Sequence, residues 1–374
     1  MKKVGILTLT ASDNVGSLLQ AYALQEVVKK ESDYEVELIN LENIKSKKLY
    51  SIFKPGLIKS PSKLLTTIKN YKVFKSQKDD YNDFRKKYLN LTKEKFADSN
   101  ELKYIKNNYH KIICGSDQVW NVDMYDFDDA YFLRWADGIP KIAYAASLGG
   151  QDSIEPNEKL KSFKDTIESF ESISIREKQG KDTVTKFVAK DITVCADPTL
   201  IIPRERWYEV TEERLIKQEY IFYYSFNYGS DDLNNVVKKA SEHYGLPVYV
   251  INASKWINKH PKHYNFNLYK KGGPEIFLNL MRYSKYAFVE SLHGTIFAYI
   301  FRRNFWFLNS RKNDELDHRS EFILNSMNLR NRTVRPNNID KASLDLEINY
   351  ERLNSKMNSW IDSSNEFLRD ALKK

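Results

Sequence analysis

His293 is the residue in this sequence best suited to acid/base chemistry. It follows an apolar segment, 286–289, that is typical of a buried strand, and the residues after it have helical spacing. An imidazole changes its charge near neutral pH, and Gly294 leaves the backbone open to close approach. A lone histidine is more often structural, but a strand-to-helix turn that also carries Glu290 and Ser291 favours a catalytic role.

Arg176 could bind an anion at the end of another predicted strand, 172–175. A guanidinium group holds a carboxylate or a phosphate through two parallel hydrogen bonds, which suits an acidic substrate. The neighbouring Glu177 offers a local ion pair instead, and the sequence leaves both interpretations open. His318 and Arg319, which follow a later predicted strand, are further candidates.

A loop of short polar residues follows the first predicted strand, 4–9. The residues in question are Asn14, Gly16, Ser17 and Gln20. At the start of a helix, such residues can hold a phosphate or sugar hydroxyls through backbone N–H groups and short side chains. Ordinary turn and capping roles are the alternative. The sequence contains neither G-x-G-x-x-G nor a P-loop, so it does not support nucleotide binding of those kinds.

A second polar loop follows the predicted strand at 109–114. It contains Ser116, Asp117, Gln118 and Trp120. Several polar groups beside one tryptophan are typical of a loop that faces a sugar. An N-cap role for Ser116 or Asp117 is the competing interpretation.

Predicted strands and helices alternate along most of the chain, so we expect an α/β fold of two Rossmann-like domains that face each other across a cleft. The first domain spans 1–202 and includes a helical, Lys-rich insertion at 44–108, and the second spans 203–343. An amphipathic helix at 344–374 should pack back across both domains. Ligands of open α/β sheets bind beyond the carboxyl ends of the strands, so the polar loops described above should meet at the cleft.

Positive charge is concentrated at 45–78, which contains ten lysines and neither Asp nor Glu, in a chain of formal net charge +9. Such a segment attracts phosphates on anionic lipid, on a lipid-diphosphate carrier or on nucleic acid, or it forms the solvated face of a helical hairpin. No nucleic-acid-binding module accompanies the lysines, so we do not expect nucleic acid as a partner. Peripheral contact of residues 45–78 with a membrane is the hypothesis that remains to be tested.

The sequence also bears on cellular location and metal content. The apolar run at 4–9 is too short for a signal peptide, and no stretch reaches about 18 apolar residues, so we expect a cytoplasmic protein, with the inner face of the membrane as its site of peripheral contact. Cys114 and Cys195 lie in predicted strands without metal-ligand spacing, which predicts reduced thiols and no metal site. The sequence does not indicate an oligomeric state.

Several blocks of sequence together resemble the polysaccharide pyruvyl transferase family. They are GILT at 5–8, NVGSLLQAYAL at 14–24, GSDQVWN at 115–121, SIRE at 174–177, ADPT at 196–199 and SLHGT at 291–295. Each block alone is weakly specific, but the blocks occur in the order of the family and span most of the chain. The resemblance implies a GT-B-like fold, with the acceptor side on the first domain and the donor side on the second.

The resemblance also implies an activity. Members of the family transfer pyruvate from phosphoenolpyruvate onto two hydroxyls of a sugar, which yields a cyclic ketal and free phosphate, in pathways that build cell-surface glycans. The implied partners are therefore phosphoenolpyruvate as co-substrate and a sugar or lipid-linked glycan as acceptor, without a further cofactor.

Site residues follow from the matching blocks. The resemblance implies that His293 is the acid/base or a phosphate ligand, that Arg176 grips the donor, and that Asp197 orients other groups or activates a hydroxyl. We expect donor binding by Arg176, Ser291, Gly294, Thr295 and Arg319. We expect acceptor binding by Asn14, Gly16, Ser17, Gln20, Ser116, Asp117, Gln118 and Trp120.

One departure from the family pattern concerns the donor. Many members have Arg-x-His-Gly where this chain has Ser291-Leu292-His293-Gly294. The arginines that could replace the missing charge are Arg282, Arg302, Arg303 and Arg319. A donor other than phosphoenolpyruvate is the alternative. Two further hypotheses are a glycosyltransferase of the same fold that uses a nucleotide sugar, and a non-catalytic protein of a glycan pathway.

Overall fold

Two six-stranded sheets form the centre of the molecule. The computed structural model describes residues 2–150, 155–211, 213–259, 264–311, 315–335, 339 and 341–374. The first sheet contains β1 (Lys3–Leu7), β2 (Glu35–Leu38), β3 (Lys111–Cys114), β4 (Lys141–Ala146), β5 (Ser172–Ile175) and β6 (Ile192–Val194). The second contains β7 (Ile221–Tyr224), β8 (Val248–Val250), β9 (Asn267–Leu268), β10 (Tyr286–Val289), β11 (Asn304–Leu308) and β12 (Thr333–Val334).

Helices connect the strands in both halves. They are α1 (Val15–Glu31), α2 (Ile44–Leu49), α3 (Pro61–Lys69), α4 (Tyr71–Tyr88), α5 (Ser99–Leu102), α6 (Glu158–Lys161), α7 (Lys164–Glu168), α8 (Lys178–Val184), α9 (Pro198–Ile201), α10 (Arg204–Glu209), α11 (Asp231–Tyr244), α12 (Ala253–Lys259), α13 (Gly273–Tyr283), α14 (Leu292–Ile300), α15 (His318–Ser326), α16 (Lys341–Leu344) and α17 (Tyr350–Lys373). Short 3-10 helices occur at Leu57–Lys59, Lys106–Asn108, Asp129–Phe132, Arg134–Ala136 and Arg330–Arg332.

The order of the strands identifies where each sheet binds ligands. All pairings between these strands are parallel. The first sheet has the order β2-β1-β3-β4-β5-β6 and the second has the order β9-β8-β7-β10-β11-β12, which is the Rossmann order. The predicted fold class is thereby confirmed. The strand order reverses between β1 and β3 and between β7 and β10, so the loops after these four strands are the expected ligand sites.

Local capping places the two most important loops. Asn14 is the N-cap of α1, and its side chain accepts hydrogen bonds from the backbone N–H groups of Gly16 and Ser17. Ser291 caps α14 in the same way, accepting from Gly294 N. Because α14 begins at Leu292, and not near Gly294 as the sequence pattern predicts, His293 lies within the first turn of the helix.

Aromatic side chains join the two halves behind the cleft. The ring of Trp207 lies 5.6 Å from that of Tyr22 on α1 and 4.9 Å from that of Phe297 on α14. Trp207 is fully buried, and its indole N–H donates to the carbonyl of Thr199. One hydrophobic core therefore continues from the first domain into the second.

The Lys-rich insertion at 44–108 is largely helical and extends to the second domain. On α4, Gln77 donates to the carbonyl of Lys271 and accepts from the N–H of Ala253, while Asp80 accepts from the N–H of Gly272. Its apolar residues are in part exposed to solvent. The insertion thus forms one wall of the space between the domains.

Helix α17 contacts both halves. The hydroxyl of Tyr350 donates to the carbonyl of Arg303 in the second domain. Further along, Trp360 donates to the carbonyl of Val194 at the end of β6, and the Ser364 hydroxyl accepts from the N–H of Ala196. The backbone immediately before Asp197 is therefore held by α17.

Candidate active site

A cavity of 290 Å³ lies where the loops of the two sheets face each other. We name it the reaction lobe. It is lined by Leu9, Ser12, Asn14, Val15, Gly16, Ser17, Tyr50, Asp117, Gln118, Met124, Asp126, Arg176, Tyr224, Phe226, Glu290, Ser291, Leu292, His293, Asp317, Arg319 and Ser320. The loops after β1, β3, β7 and β10 all contribute, so the cavity occupies both points at which strand order reverses.

His293, Asp197 and Arg176 form a buried charged cluster beside this lobe. The Nε2 atom of His293 lies 3.3 Å from Oδ2 of Asp197, a charge contact and not a well-aligned hydrogen bond. Nη1 of Arg176 donates to the same Oδ2 at 2.8 Å. Asp197 is 1% exposed and also accepts from the hydroxyl and the N–H of Thr199. The carboxylate therefore orients both the imidazole and the guanidinium group.

Burial and neighbouring charges shift the pKa values of Asp197, Glu177 and Arg176. Burial by itself would raise the pKa of the Asp197 carboxyl, but His293 and Arg176 outweigh it and hold that pKa below its ordinary range. Burial raises the pKa of Glu177, and Arg176 only partly offsets this effect. For Arg176 burial favours the neutral form, but Asp197, Asp117 and Glu177 outweigh it and raise the pKa. The cluster thus keeps Asp197 ionised and Arg176 charged.

Gly16 touches the imidazole ring across the cleft. A Cβ atom at position 16 would lie 2.1 Å from Nδ1 of His293, closer than any real contact of a Cβ atom. The missing side chain therefore lets α1 of the first domain approach His293 of the second. Nε2 of the same ring faces Asp197, so the imidazole contacts both α1 and the buried carboxylate.

Asp117 links the loop after β3 to the same cluster. Its φ of 77° lies in the left-handed region, which is strained for a residue other than glycine. Its carboxylate accepts from the Ser17 hydroxyl at 2.6 Å and from the N–H of Gln118 at 2.9 Å, and lies 3.8 Å from Nη2 of Arg176. These contacts connect the two polar loops of the first domain.

Arg319 lines the reaction lobe, whereas three other arginines considered for the missing charge do not. Arg282 donates to the carbonyls of Tyr208 and Thr211, Arg303 donates to that of Ser284, and Arg302 is exposed. Arg319 donates from Nε to Asp317 at 3.1 Å. Of these four arginines, Arg319 is therefore the one placed to supply the charge that an arginine at position 291 would provide.

Nine of the predicted site residues line the reaction lobe. They are Asn14, Gly16, Ser17, Asp117, Gln118, Arg176, Ser291, His293 and Arg319. Asp197 lies directly behind them, in contact with His293 and Arg176. Their binding roles stay predictions, but the structure brings them together with Asp197 from six separate segments of the chain. Sheet topology accounts for most of this convergence, and capping by Asn14 and Ser291 accounts for the rest.

The other predicted residues do not line the lobe. Trp120 is fully buried, and its ring stacks 5.5 Å from that of Phe132, so it packs in the core instead of facing a sugar. Gln20 is also fully buried, and donates to the Thr8 hydroxyl and to the carbonyl of Ser17. The remaining ones are Ser116, Gly294 and Thr295. All five residues are buried, and the binding roles predicted for them stay predictions.

Tyr50, Asp126, Tyr224 and Phe226 also line the lobe, although sequence reasoning did not select them. Tyr224 is the last residue of β7 and Phe226 follows it, so their position at a carboxyl strand end was a usable signal. Tyr50 and Asp126 lie in irregular segments without such a signal. Phe226 is 41% exposed, which leaves an aromatic face available to a ligand.

A second cavity of 450 Å³ adjoins the first and shares Asn14, Tyr50, Tyr224 and Phe226 with it. We name it the lysine lobe, because Lys54, Lys63, Lys78 and Lys255 line it. The insertion provides one side of this lobe and the second domain provides the other. The two lobes are therefore parts of one cleft.

The described residues contain neither a candidate metal site nor a candidate membrane span. In the part of the chain that the structure covers, no group of His, Cys, Asp and Glu is arranged to hold a metal ion. Across the same residues, no helix is long and apolar enough to cross a membrane.

Solved structures of low sequence identity share the fold. A UDP-GlcNAc 2-epimerase from Neisseria meningitidis, bound to UDP-GlcNAc, has a TM-score of 0.54 at 10% identity, with 100% of both chains covered. The enzyme from Methanocaldococcus jannaschii gives 0.53 at 12% identity, also with 100% of both chains covered. AviGT4, a glycosyltransferase involved in avilamycin A biosynthesis, gives 0.50 at 9% identity, with 100% of this chain and 99% of the other covered. These likenesses support the GT-B-like architecture.

Family comparison is more specific than the likeness of folds. No curated protein matches the chain. The family model described as polysaccharide pyruvyl transferase matches residues 14–312, which include the start of α1 and the loops after β3, β5, β6 and β10 in and beside the reaction lobe. Because the match covers most of the chain, this protein belongs to the polysaccharide pyruvyl transferase family.

Proposed function

We propose that this transferase moves pyruvate from phosphoenolpyruvate onto two hydroxyls of a sugar in a cell-surface polysaccharide or its lipid-linked precursor. The observation that carries the proposal is the cluster of His293, Asp197 and Arg176 beside the reaction lobe. It combines a positioned acid/base with a buried cation, which is what an anionic enol donor requires. Family membership supports the same reaction class.

Arg176 has hydrogen-bonding capacity left for the donor. Among the residues that the structure describes, its Nε and Nη2 atoms have no hydrogen-bond partner, although both are buried. Buried donors without partners are costly, and a carboxylate or phosphate in the adjacent lobe would satisfy them. Arg319 supplies a second guanidinium group to the same lobe. We infer that these two arginines hold the donor.

His293 would provide the proton that starts the reaction. Protonation of C3 of phosphoenolpyruvate makes C2 an oxocarbenium-like electrophile, to which a sugar hydroxyl adds. The C2–O bond to phosphate then breaks, and C2 becomes electrophilic again. The second hydroxyl closes the ketal. One hydroxyl proton replaces the proton given to C3, and the other leaves on phosphate, so the imidazole returns to its starting state. Asp197 stabilises the imidazolium form between these steps.

The acceptor would lie against the first domain and the aromatic residues of the cleft. Asn14, Ser17 and Gln118 present polar groups to the reaction lobe. Tyr224 and Phe226 lie at the junction of the two lobes, where an aromatic ring can cover the apolar face of a sugar. This arrangement would bring the hydroxyls of the sugar toward His293.

Incubation with phosphoenolpyruvate and a panel of sugar acceptors tests the proposal. Phosphate release and ketal formation should occur together, and only when both substrates are present. A glycosyltransferase of the same fold would instead bind a nucleotide sugar tightly and form no ketal. That second outcome would overturn the pyruvyl transfer proposal.

We also propose that the insertion contacts an anionic membrane surface. Large apolar side chains are exposed on it, namely Ile44, Phe53, Ile58, Leu65 and Ile68. In the same segment Lys75 pairs with Asp79 and Lys78 pairs with Asp13, while the other eight lysines have no ion-pair partner among the described residues. Exposed apolar groups next to unpaired lysines are typical of surfaces that lie on anionic lipid.

A further inference from the structure

Glu290 is a half-buried carboxylate in the lining of the reaction lobe. It follows the last residue of β10 and directly precedes Ser291, the N-cap of α14. His293 lies three positions further along the same turn and lines the same cavity. A carboxylate and an imidazole thus reach the lobe from one strand end, at the edge of the sheet where open α/β sheets bind ligands.

Ser225 fixes the direction of this carboxylate. Its hydroxyl donates a hydrogen bond to Oε2 of Glu290 and accepts one from the N–H of Asn227 at 2.8 Å. Ser225 is fully buried just after β7, and the N–H of Glu290 donates to the carbonyl of Tyr224 at 3.1 Å. Both the backbone and the side chain of Glu290 are therefore held by the neighbouring strand, which orients the carboxylate before a ligand binds.

The Glu290 carboxylate can accept further hydrogen bonds. An ionised carboxylate has about four lone-pair sites, and Ser225 occupies one of them. No Lys, Arg or His of the described chain forms an ion pair with Glu290. Asp117 and Asp317 in the same lining each face an arginine, and Asp126 is buried and accepts from a serine of α2. Glu290 is thus the lobe carboxylate with capacity left for a ligand.

The charge of Glu290 indicates which substrate it contacts. Phosphoenolpyruvate carries a carboxylate and a phosphate, and an ionised Glu290 repels both groups. Sugar hydroxyls instead donate charge-assisted hydrogen bonds to a carboxylate. Arg176 and Arg319 supply the cations that the donor needs, so Glu290 has no part in holding it. A hydroxyl of the acceptor is therefore the group that Glu290 suits.

We propose that Glu290 is a second acid/base residue, which takes the proton of the attacking sugar hydroxyl and returns it to the departing phosphate. This inference rests on the proposed function. As the hydroxyl oxygen bonds to C2, its proton moves to Glu290, and as the C2–O bond to phosphate breaks, that proton moves to the bridging oxygen. The second hydroxyl then closes the ring and gives its proton to His293, which lost one to C3. Both residues end in their starting states.

The variant Glu290→Gln tests the role, because its amide oxygen can still accept from Ser225 but cannot take up a proton. Its kcat should fall about 10²-fold. In calorimetric titration, phosphoenolpyruvate should bind as tightly as in the wild type or more tightly, because a negative charge has left the lobe. Glu290→Asp retains a proton acceptor and should recover at least about tenfold of the lost kcat.

Glu219→Gln is the matched control, since it removes the same charge from an exposed position outside both lobes and should keep the wild-type kcat. Wild-type kcat in Glu290→Gln would overturn the inference. A raised KM for phosphoenolpyruvate with an unchanged kcat would also overturn it, because Glu290 would then bind the donor and not move a proton.

Ser225→Ala gives a second test, as it leaves the carboxylate in place but removes its fixed partner. The kcat should fall about threefold to tenfold. In a Glu290→Gln background the same change should alter kcat less than twofold, because the proton acceptor that Ser225 positions is already gone. An equal loss in both backgrounds would overturn the positioning role of Ser225.

Failure of this inference is distinguishable from failure of the proposed function. Ketal formation at the wild-type rate by Glu290→Gln would overturn the role of Glu290 and leave pyruvyl transfer intact. If the wild type forms no ketal from phosphoenolpyruvate with any acceptor of the panel, pyruvyl transfer itself is overturned, whatever the variants do.

Discussion

The reaction lobe and the lysine lobe share one cleft but differ in the burial and pairing of their charged side chains. Beside the reaction lobe, Arg176 and Asp197 are almost completely buried, and each contacts oppositely charged partners. In the lysine lobe, Lys54 and Lys255 are exposed to solvent and have no such partner among the described residues. Buried pairs give fixed geometry at a high cost in desolvation, whereas exposed lysines attract an anion at little cost to the fold.

This difference separates two kinds of variant. Changes in the buried cluster should alter reaction rate and stability together, because each charge there depends on the others. Changes among the exposed lysines should alter the affinity for an anion and the salt dependence of that affinity, because exposed charges are screened within about 8 Å at 0.15 M salt. Variants from both lobes can therefore be compared by measuring the reaction rate and the affinity for an anion.

Replacement of His293 should have the largest effect. His293→Gln removes the proton-transferring group but keeps an amide that can face Asp197, so ketal formation should slow about 10²- to 10⁴-fold. His318→Gln is the matched control, because His318 does not line the reaction lobe. Equal activity of the two variants would contradict an acid/base role for His293.

Asp197→Asn should be the most destabilising variant of the buried cluster. The change leaves Arg176 and His293 without their shared carboxylate, and loss of one partner of a buried pair costs about 3–5 kcal/mol. Urea unfolding measures the loss. Asp182→Asn is the control, because Asp182 pairs with Lys178 at the surface and its loss should cost under about 1 kcal/mol.

The stability that Asp197 provides should depend on pH. Its folded-state pKa is lowered from 3.8, so its contribution is complete above that value and is lost as the pH falls toward the folded-state pKa. The difference between wild type and Asp197→Asn should therefore be constant near neutral pH and should shrink below about pH 4. A difference that grows on acidification would show that the ionised carboxylate is not the stabilising form.

Gly16→Ala should have an intermediate effect that depends on His293. The added methyl group would collide with the imidazole ring, and such overpacking costs about 1–3 kcal/mol. In a His293→Ala background the same change should cost much less, because the ring is gone. Urea unfolding of all four proteins measures the coupling. An equal cost in both backgrounds would show that position 16 does not contact His293 in solution.

The smallest effect concerns the outer face of the insertion. Leu65→Ser with Ile68→Ser should weaken binding to vesicles of anionic lipid about threefold to tenfold, because each change removes apolar area from the membrane interface. Activity on a water-soluble acceptor should not change. Leu215→Ser with Leu346→Ser, two exposed leucines outside the insertion, provides the control. Vesicle binding that does not weaken as salt rises would contradict an electrostatic contribution from the lysines.

Strand ends were the part of the site that the sequence could predict. The apolar runs before Asn14, Asp117, Arg176 and His293 all form parallel strands, and topology then brings their carboxyl ends together. Contacts across the cleft could not be predicted in this way, because residues far apart in the chain meet only after both domains have folded. The approach of Gly16 to His293 is the clearest case.

The direction of loop side chains was the second feature that the sequence could not predict. Trp120 lies in a polar loop, and nothing in its neighbours indicates that the ring turns inward to stack beside Phe132. Arg319 was one of four candidate arginines, and only its position after β11, at the start of α15, separates it from the rest. Periodicity identifies elements, but the rotamer of a loop residue depends on packing with distant segments.

Helix α17 has a consequence for how the protein is made. Its Ser364 and Trp360 side chains bond to the backbone at Ala196 and Val194, immediately before Asp197. A nascent chain can therefore form the strands of the first sheet while the backbone beside its key carboxylate still lacks these partners. Helix α17 is translated after both sheets. It must leave the ribosome before it can hold the backbone beside Asp197. Activity should thus require α17 to be in place beside Asp197.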